Sequence, residues 1–213
     1  MRNRKEITNA QNFMRMKTTT LLPLFLLLLV PVLLLAQPKE VMDAYNLNHA
    51  IVRKDIDKLK SLIKDGSDVD YQYNGRNALH TACDKDSPEM IELILEAGAD
   101  VNSFSEEGIG RTPLQFVVGD FMQDDSPELV EILLKGGADP NLTNNADMAP
   151  VFETIKNTHV ESLKLLIEHG ASTDIKNSME HTPLEHVNFL IRRGITDPKK
   201  QTDWQKIKAT LSR

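Results

Sequence analysis

The chain has 213 residues, 40% hydrophobic and 26% charged, an ordinary composition for a globular protein with a sizeable core. Its formal net charge is −6, and residues 1–36 hold five basic side chains against Glu6 alone, so the remainder is more acidic than the whole. An acidic body repels phosphate backbones, which argues against nucleic-acid binding and favours a basic partner. With Cys83 as the only cysteine there is no intrachain disulfide framework, and no Cys/His set has zinc-ligand spacing.

In chain order, residues 21–36 come first as LLPLFLLLLVPVLLLA, preceded by Arg15 and Lys17 and followed by polar QPKE. Basic n-region, apolar h-region and a small residue, Ala36, form the order of a secretory signal peptide. The run is 16 residues long and holds Pro23 and Pro31, short for a bilayer span of about 20 apolar residues. A cleaved signal over 1–36 is expected, with an uncleaved membrane anchor as the alternative. The first 13 residues are long for an n-region, so Met14 or Met16 is a candidate start.

Beyond residue 40 the chain repeats. GSDVD, GADVN, GADPN and GASTD stand at 66–70, 98–102, 137–141 and 170–174, each after an apolar run: KLKSLIKD, MIELILEA, LVEILLKG and SLKLLIEH. Preceding those runs are a degenerate YNLNHA at 45–50, then NALHTA, TPLQFV and APVFET; TPLEHV at 182–187 opens a last unit. Thr112 and Thr182 are placed to cap helices, with Pro113 and Pro183 at the first helical position, where no N–H is needed. Leucine and isoleucine stripes mark a second helix in each unit, acidic Asp55, Glu89, Glu128 and Glu161 stand at its start, and a glycine follows it where the chain turns left-handed.

The departures are specific. From the capping position to the glycine the spacing is 21 residues in three units, but 25 from 112 to 137, with the excess near FMQDDSPE. The preceding loop, SFSEEGIGR, is also enlarged, and insertions fall in loops that often bind, although drift has the same signature. At the end, TPLEHVNFLIRRG reads as one helix, ITDPKK as a loop and TDWQKIKATL as a capping helix with Trp204, Ile207 and Leu211 on one face; Lys199, Lys200, Lys206 and Lys208 form its solvated side. The first repeat, with Tyr45 in place of Thr, reads as the N-terminal cap of the stack.

TPLHxA followed by a helix and then LLLxxGADxN, in phase several times, is similar to the ankyrin-repeat family, over about residues 41–191 with a cap beyond. The resemblance implies an all-α solenoid of helix-turn-helix units with β-turn or hairpin tips. The expected organisation is 1–36 signal and 37–213 repeat domain, in units of about 41–73, 74–106, 109–145, 146–178 and 179–213. It further implies a protein-binding scaffold, like the exported ankyrin proteins of bacteria, periplasmic or secreted, with no enzymatic activity, cofactor, metal or small-molecule substrate. The partner is a protein, and a membrane enters only if residues 21–36 stay attached.

The resemblance places the binding surface on the tips and the exposed side of the first helices. The residues it implies are Tyr71, Tyr73, Asn74 and Arg76 on one tip, Phe104, Ile109 and Arg111 on the next, Met148 on the third, and Asp84, Lys85 and Asp120 from first helices. Tyr and Arg dominate interface energetics, so the end of the groove where Tyr71, Tyr73, Arg76, Phe104 and Arg111 cluster is the expected centre; packing of these rings onto the neighbouring tip is the alternative. His80 stands at the family's His, implied to tie neighbouring turns together. A redox or thiol-dependent role for Cys83 is the rival function, against a buried apolar thiol. Asp124 and Asp125 beside Glu128 read as a solvated acidic loop, since calcium-loop spacing is absent.

Overall fold

The structure is a computed structural model that describes residues 38–119, 124–193 and 197–212. The expected signal segment and Asp120 lie outside the described residues. The chain divides after Met42, and the unit Asp43–Arg213 carries all that follows.

Among the described residues the regular structure is helical. First helices are α1 (Lys39–Val52), α3 (Ala78–Asp84), α5 (Pro113–Gly119), α7 (Pro150–Asn157) and α9 (Pro183–Arg192). Second helices are α2 (Ile56–Lys64), α4 (Pro88–Glu96), α6 (Pro127–Lys135), α8 (Val160–Glu168) and α10 (Pro198–Leu211). From the second unit onward, each first helix packs on its own second helix, and both kinds stack on the equivalent helix of the next unit. This is the all-α repeat architecture expected.

The local signals act as their chemistry dictates. Asp55 caps α2 by accepting from Lys58 N at 3.0 Å, and Asn77 caps α3 by accepting from His80 N at 3.0 Å. Thr182 and Glu185 close a reciprocal capping box on α9. Gly66, Gly98, Gly137 and Gly170 follow second helices with φ between +81° and +93°, as a left-handed exit requires.

In the first repeat α1 runs from Lys39 to Val52 through Tyr45. Two expectations about the C-terminal cap are corrected. The capping helix α10 starts at Pro198, not after the ITDPKK segment: Asp197 accepts from Lys199 N at 2.9 Å and Pro198 supplies the first helical position. Lys208 of its expected solvated side is half-buried.

The buried apolar side chains fall into two clusters. One spans Leu47 to Ala138 and also takes Leu166 and Ala171; the other gathers Phe152, Ile155, Leu163, Val187, Trp204 and Ile207. Polar contacts join the third unit to the fourth. Asn157 Nδ2 donates to Val118 O at 2.9 Å, and Gln115 Nε2 donates across to Met148 O at 2.8 Å as well as to Leu142 O of its own unit at 3.0 Å. The enlarged third unit contributes Asp125, whose carboxylate accepts from Glu161 N at 2.8 Å, from Ser162 N and from the Ser162 hydroxyl. Asp125 is therefore not the simply solvated residue expected from the sequence: it caps α8 of the next unit, whose own boundary residue His159 makes no capping bond.

Candidate partner-binding surface

The tips are built on different turns. On the first, Tyr73 and Arg76 exchange backbone hydrogen bonds at 2.9 and 3.3 Å around Asn74 (φ 55°) and Gly75 (φ 78°). Positive φ at both central residues is the hairpin turn that Asn-Gly favours. A Cβ on Gly75 would lie 2.9 Å from Glu107 N, so the second tip presses directly on this turn.

That second tip, Ser103 to Arg111, is held from both sides. Ser105 N donates to Arg111 O at 2.9 Å within it. Glu106 N donates to Gly75 O and to Gln72 Oε1, both at 2.9 Å, and Gln72 Nε2 donates to Phe104 O at 2.7 Å. On the other flank, Asn145 N donates to Ile109 O at 2.9 Å. The third and fourth tips share a device of their own, an asparagine plug. Buried Asn144 accepts from Ala146 N and Met148 N, and buried Asn177 accepts from Met179 N and His181 N.

The expected binding residues divide accordingly. Arg76 ion-pairs with Glu107, reaches Asp84 at 3.4 Å and stacks over Phe116 at 4.8 Å. Lys85 pairs with the same Asp84 at 2.7 Å. Arg111 turns toward Glu153 at 4.0 Å, a buried carboxylate that Lys156 approaches at 3.8 Å. Tyr73 packs edge-on against Tyr45 with centroids 5.6 Å apart. Tyr71 and Met148 are half-buried, and Met148 packs on the second apolar cluster. Tyr73 thus packs on α1, Arg76 pairs with the second tip and with α3, and Arg111 faces α7. Asn74 is exposed, and the large apolar side chains the tips leave exposed are Phe104, Ile109 and Met179.

The groups that carry chemistry elsewhere are committed to the fold. His80 is fully buried, its Nδ1 2.6 Å from Asn77 Oδ1 and its Nε2 3.0 Å from Arg111 O of the next tip. Both neighbours are oxygens, and a neutral ring has one N–H to share between them. Burial lowers its pKa to about 4. The role implied for His80, tying neighbouring turns, is the one it performs; Gln115 performs it in the third unit. Cys83 is buried in the first apolar cluster, and desolvation, followed by the nearby Asp84 charge, pushes its thiol upward. A thiol held protonated is a poor nucleophile. In the last unit, burial and then neighbouring His181 lower the pKa of His186, and among the described residues no three His, Cys, Asp or Glu side chains form a metal-binding group.

A family model described as ankyrin repeats (three copies) matches residues 28–119 and 121–190. Over 65 residues the chain is 42% identical to the mouse Ankyrin repeat and SOCS box protein 16, an alignment covering 30% of this chain and 14% of that one. Over 116 residues it is 28% identical to the Putative ankyrin repeat protein FPV024 of fowlpox virus, covering 54% and 19%. The chain thus spans less than a fifth of the length of either relative.

Proposed function

The chain belongs to the ankyrin-repeat family, and on that premise we propose that it is an exported scaffold that binds a partner protein through its tips and first-helix face and catalyses nothing. The observation that carries the reading is the tip row. The backbones of its first three tips are tied to one another by hydrogen bonds, while Asn74, Phe104 and Ile109 remain exposed on them. Side chains held on a rigid frame lose little entropy when a partner covers them. The committed state of His80 and Cys83 supports a binding role over a catalytic or redox one. Export rests on the apolar run at 21–36 behind Arg15 and Lys17, and periplasmic or secreted residence follows from it.

Two experiments test this. A photo-crosslinking amino acid placed at Phe104 should trap a protein partner from the exported fraction, whereas the same group at exposed Glu92 on α4 should not; equal trapping at both sites refutes binding through the tips. Intact mass of the exported protein should lack residues 21–36; a mass that includes them replaces the free scaffold with a membrane-tethered one.

A further inference from the structure

The tips are uneven in what they leave for a partner. Arg76 spends its guanidinium on Glu107 and Asp84, and Arg111 faces inward toward buried Glu153 at 4.0 Å. Lys176 lies 3.5 Å from Glu180 on the fourth tip. Glu106 on the second tip and Asp147 on the third are exposed acids. The outward charge of the tips is therefore negative.

Beside that charge stand Phe104, 42% exposed, and Ile109, 37% exposed, at the two ends of the same loop. Exposed rings and aliphatics scattered singly mean little. These two differ because the carbonyls of the residues that bear them are both fixed from outside the loop, Phe104 O by Gln72 Nε2 at 2.7 Å and Ile109 O by Asn145 N at 2.9 Å. Their backbones are anchored to the first and third tips, so their positions relative to those tips are set before any partner arrives.

We propose that the Ser103–Arg111 tip is the anchor of the docking edge, and that its occupant is a polypeptide segment in which Lys or Arg side chains alternate with large apolar ones. The apolar residues of the segment cover Phe104 and Ile109, and its cations meet Glu106 and Asp147. Fixed apolar anchors ringed by charge are the arrangement in which a few residues carry most of an interface's energy. The complementary charge raises the association rate and rejects acidic competitors. The same outward charge repels an anionic membrane. This inference rests on the scaffold reading and narrows it to one tip and one chemistry.

The test pans the folded chain against a phage-displayed library of random short peptides, then measures selected peptides on variants by fluorescence anisotropy. The expected consensus interleaves basic and apolar residues. Affinity should fall at least about tenfold for Phe104→Ser and for Ile109→Ser, and should fall in a salt-sensitive way for Glu106→Lys. Val52→Ser and Glu92→Lys, which alter exposed residues away from the tips, should leave affinity unchanged. Because Phe104, Ile109 and Glu106 are exposed, these variants should keep the wild-type circular-dichroism melt. An acidic consensus, equal losses at Val52 or Glu92, or Phe104-dependent binding to phosphatidylserine vesicles overturns the proposal. Peptides that bind but ignore the second-tip variants overturn it while leaving the scaffold reading intact; a library that yields no binder overturns both.

Discussion

Asp125→Ala should destabilise the fold through a helix in another repeat. The carboxylate of Asp125 accepts from two backbone N–H groups at the start of α8 and from the Ser162 hydroxyl. His159, at the boundary of α8, supplies no capping bond of its own, and that helix lacks the proline that opens α4 and α6. Deleting a capping side chain costs about 0.5–2 kcal/mol, and the negative charge beside the helix N-terminus adds a few tenths. The half-buried setting of Asp125 places the sum at about 1.5 kcal/mol. Asp125→Asn keeps an acceptor and loses the charge, so it should recover more than half. Urea unfolding gives both numbers, followed by circular dichroism and by fluorescence of Trp204, the sole tryptophan, on α10, which packs against α8. A loss under about 0.3 kcal/mol for alanine, or an asparagine as damaging as alanine, would refute the cross-repeat cap.

Other outcomes follow from buried and paired groups. His80 has a folded pKa of about 4 against an ordinary 6.5, so the unfolded chain binds the extra proton first and stability falls as pH drops from 6.5 toward 4. The slope approaches about 1.4 kcal/mol per pH unit, and His80→Gln, which installs the residue used at Gln115, should remove it; an unchanged pH profile of denaturant midpoints sinks the assignment. Asp70 accepts from Asp100 N at 3.0 Å, whereas Asn102 and Asn141 in the same ladder also donate, to Gly137 O at 3.2 Å and Gly170 O at 3.0 Å. Asp70→Asn should therefore stabilise by about 1 kcal/mol at neutral pH. Partial burial raises the pKa of Asp70, so the advantage should shrink as acid neutralises the wild-type carboxyl; a destabilised variant contradicts this. The Cys83 thiol should stay silent to a disulfide reagent in the native protein and titrate at once in denaturant, and fast native reaction would revive a redox role.

How much of this was legible depended on the sequence distance of the partner. Thr182, Pro183, Asn77 and Gly98 act on residues within one turn, so their effects could be read directly. Asp197–Pro198 carries the same local signal, but the apolar face of α10 begins only beyond it, at Trp204, so apolar periodicity alone places the start too late. The Asn144 and Asn177 plugs stand one repeat apart and were available as a pattern, NNADM against NSMEH. What could not be read was the fate of the long side chains. Tyr, Arg and Phe on the tips look equivalent as residue types. Arg76 finds Glu107 31 positions away, and Asp125 finds Ser162 37 positions away. Only the stacking of repeats brings those pairs together, so the sequence does not show that Tyr73 and Arg76 pair within the fold while Phe104 and Ile109 stay exposed.

Glu153 is the sharpest case of such a fate. Its side chain is 2% exposed on α7. Its cations stand at 4.0 Å (Arg111) and 3.8 Å (Lys156), beyond hydrogen-bond length. Neither Glu153 Oε2 nor Arg111 Nε has a hydrogen-bond partner among the described residues. A buried carboxylate in that position bears most of its desolvation cost with little direct bonding in return. Removing one member of a buried ion pair is normally destabilising because the other charge is left stranded in the interior. Here the stranded charges would be Arg111 and Lys156, whose side chains are 29% and 56% exposed and can turn to water. Glu153→Gln should therefore leave global stability within about 1 kcal/mol of wild type or raise it. Amide hydrogen exchange in the second tip should quicken, because Arg111 ends that tip and loses its inward attraction. A loss above about 3 kcal/mol would show that the pair is tight and stabilising, and unchanged exchange from Ser105 to Arg111 would show that Glu153 has no part in holding the tip.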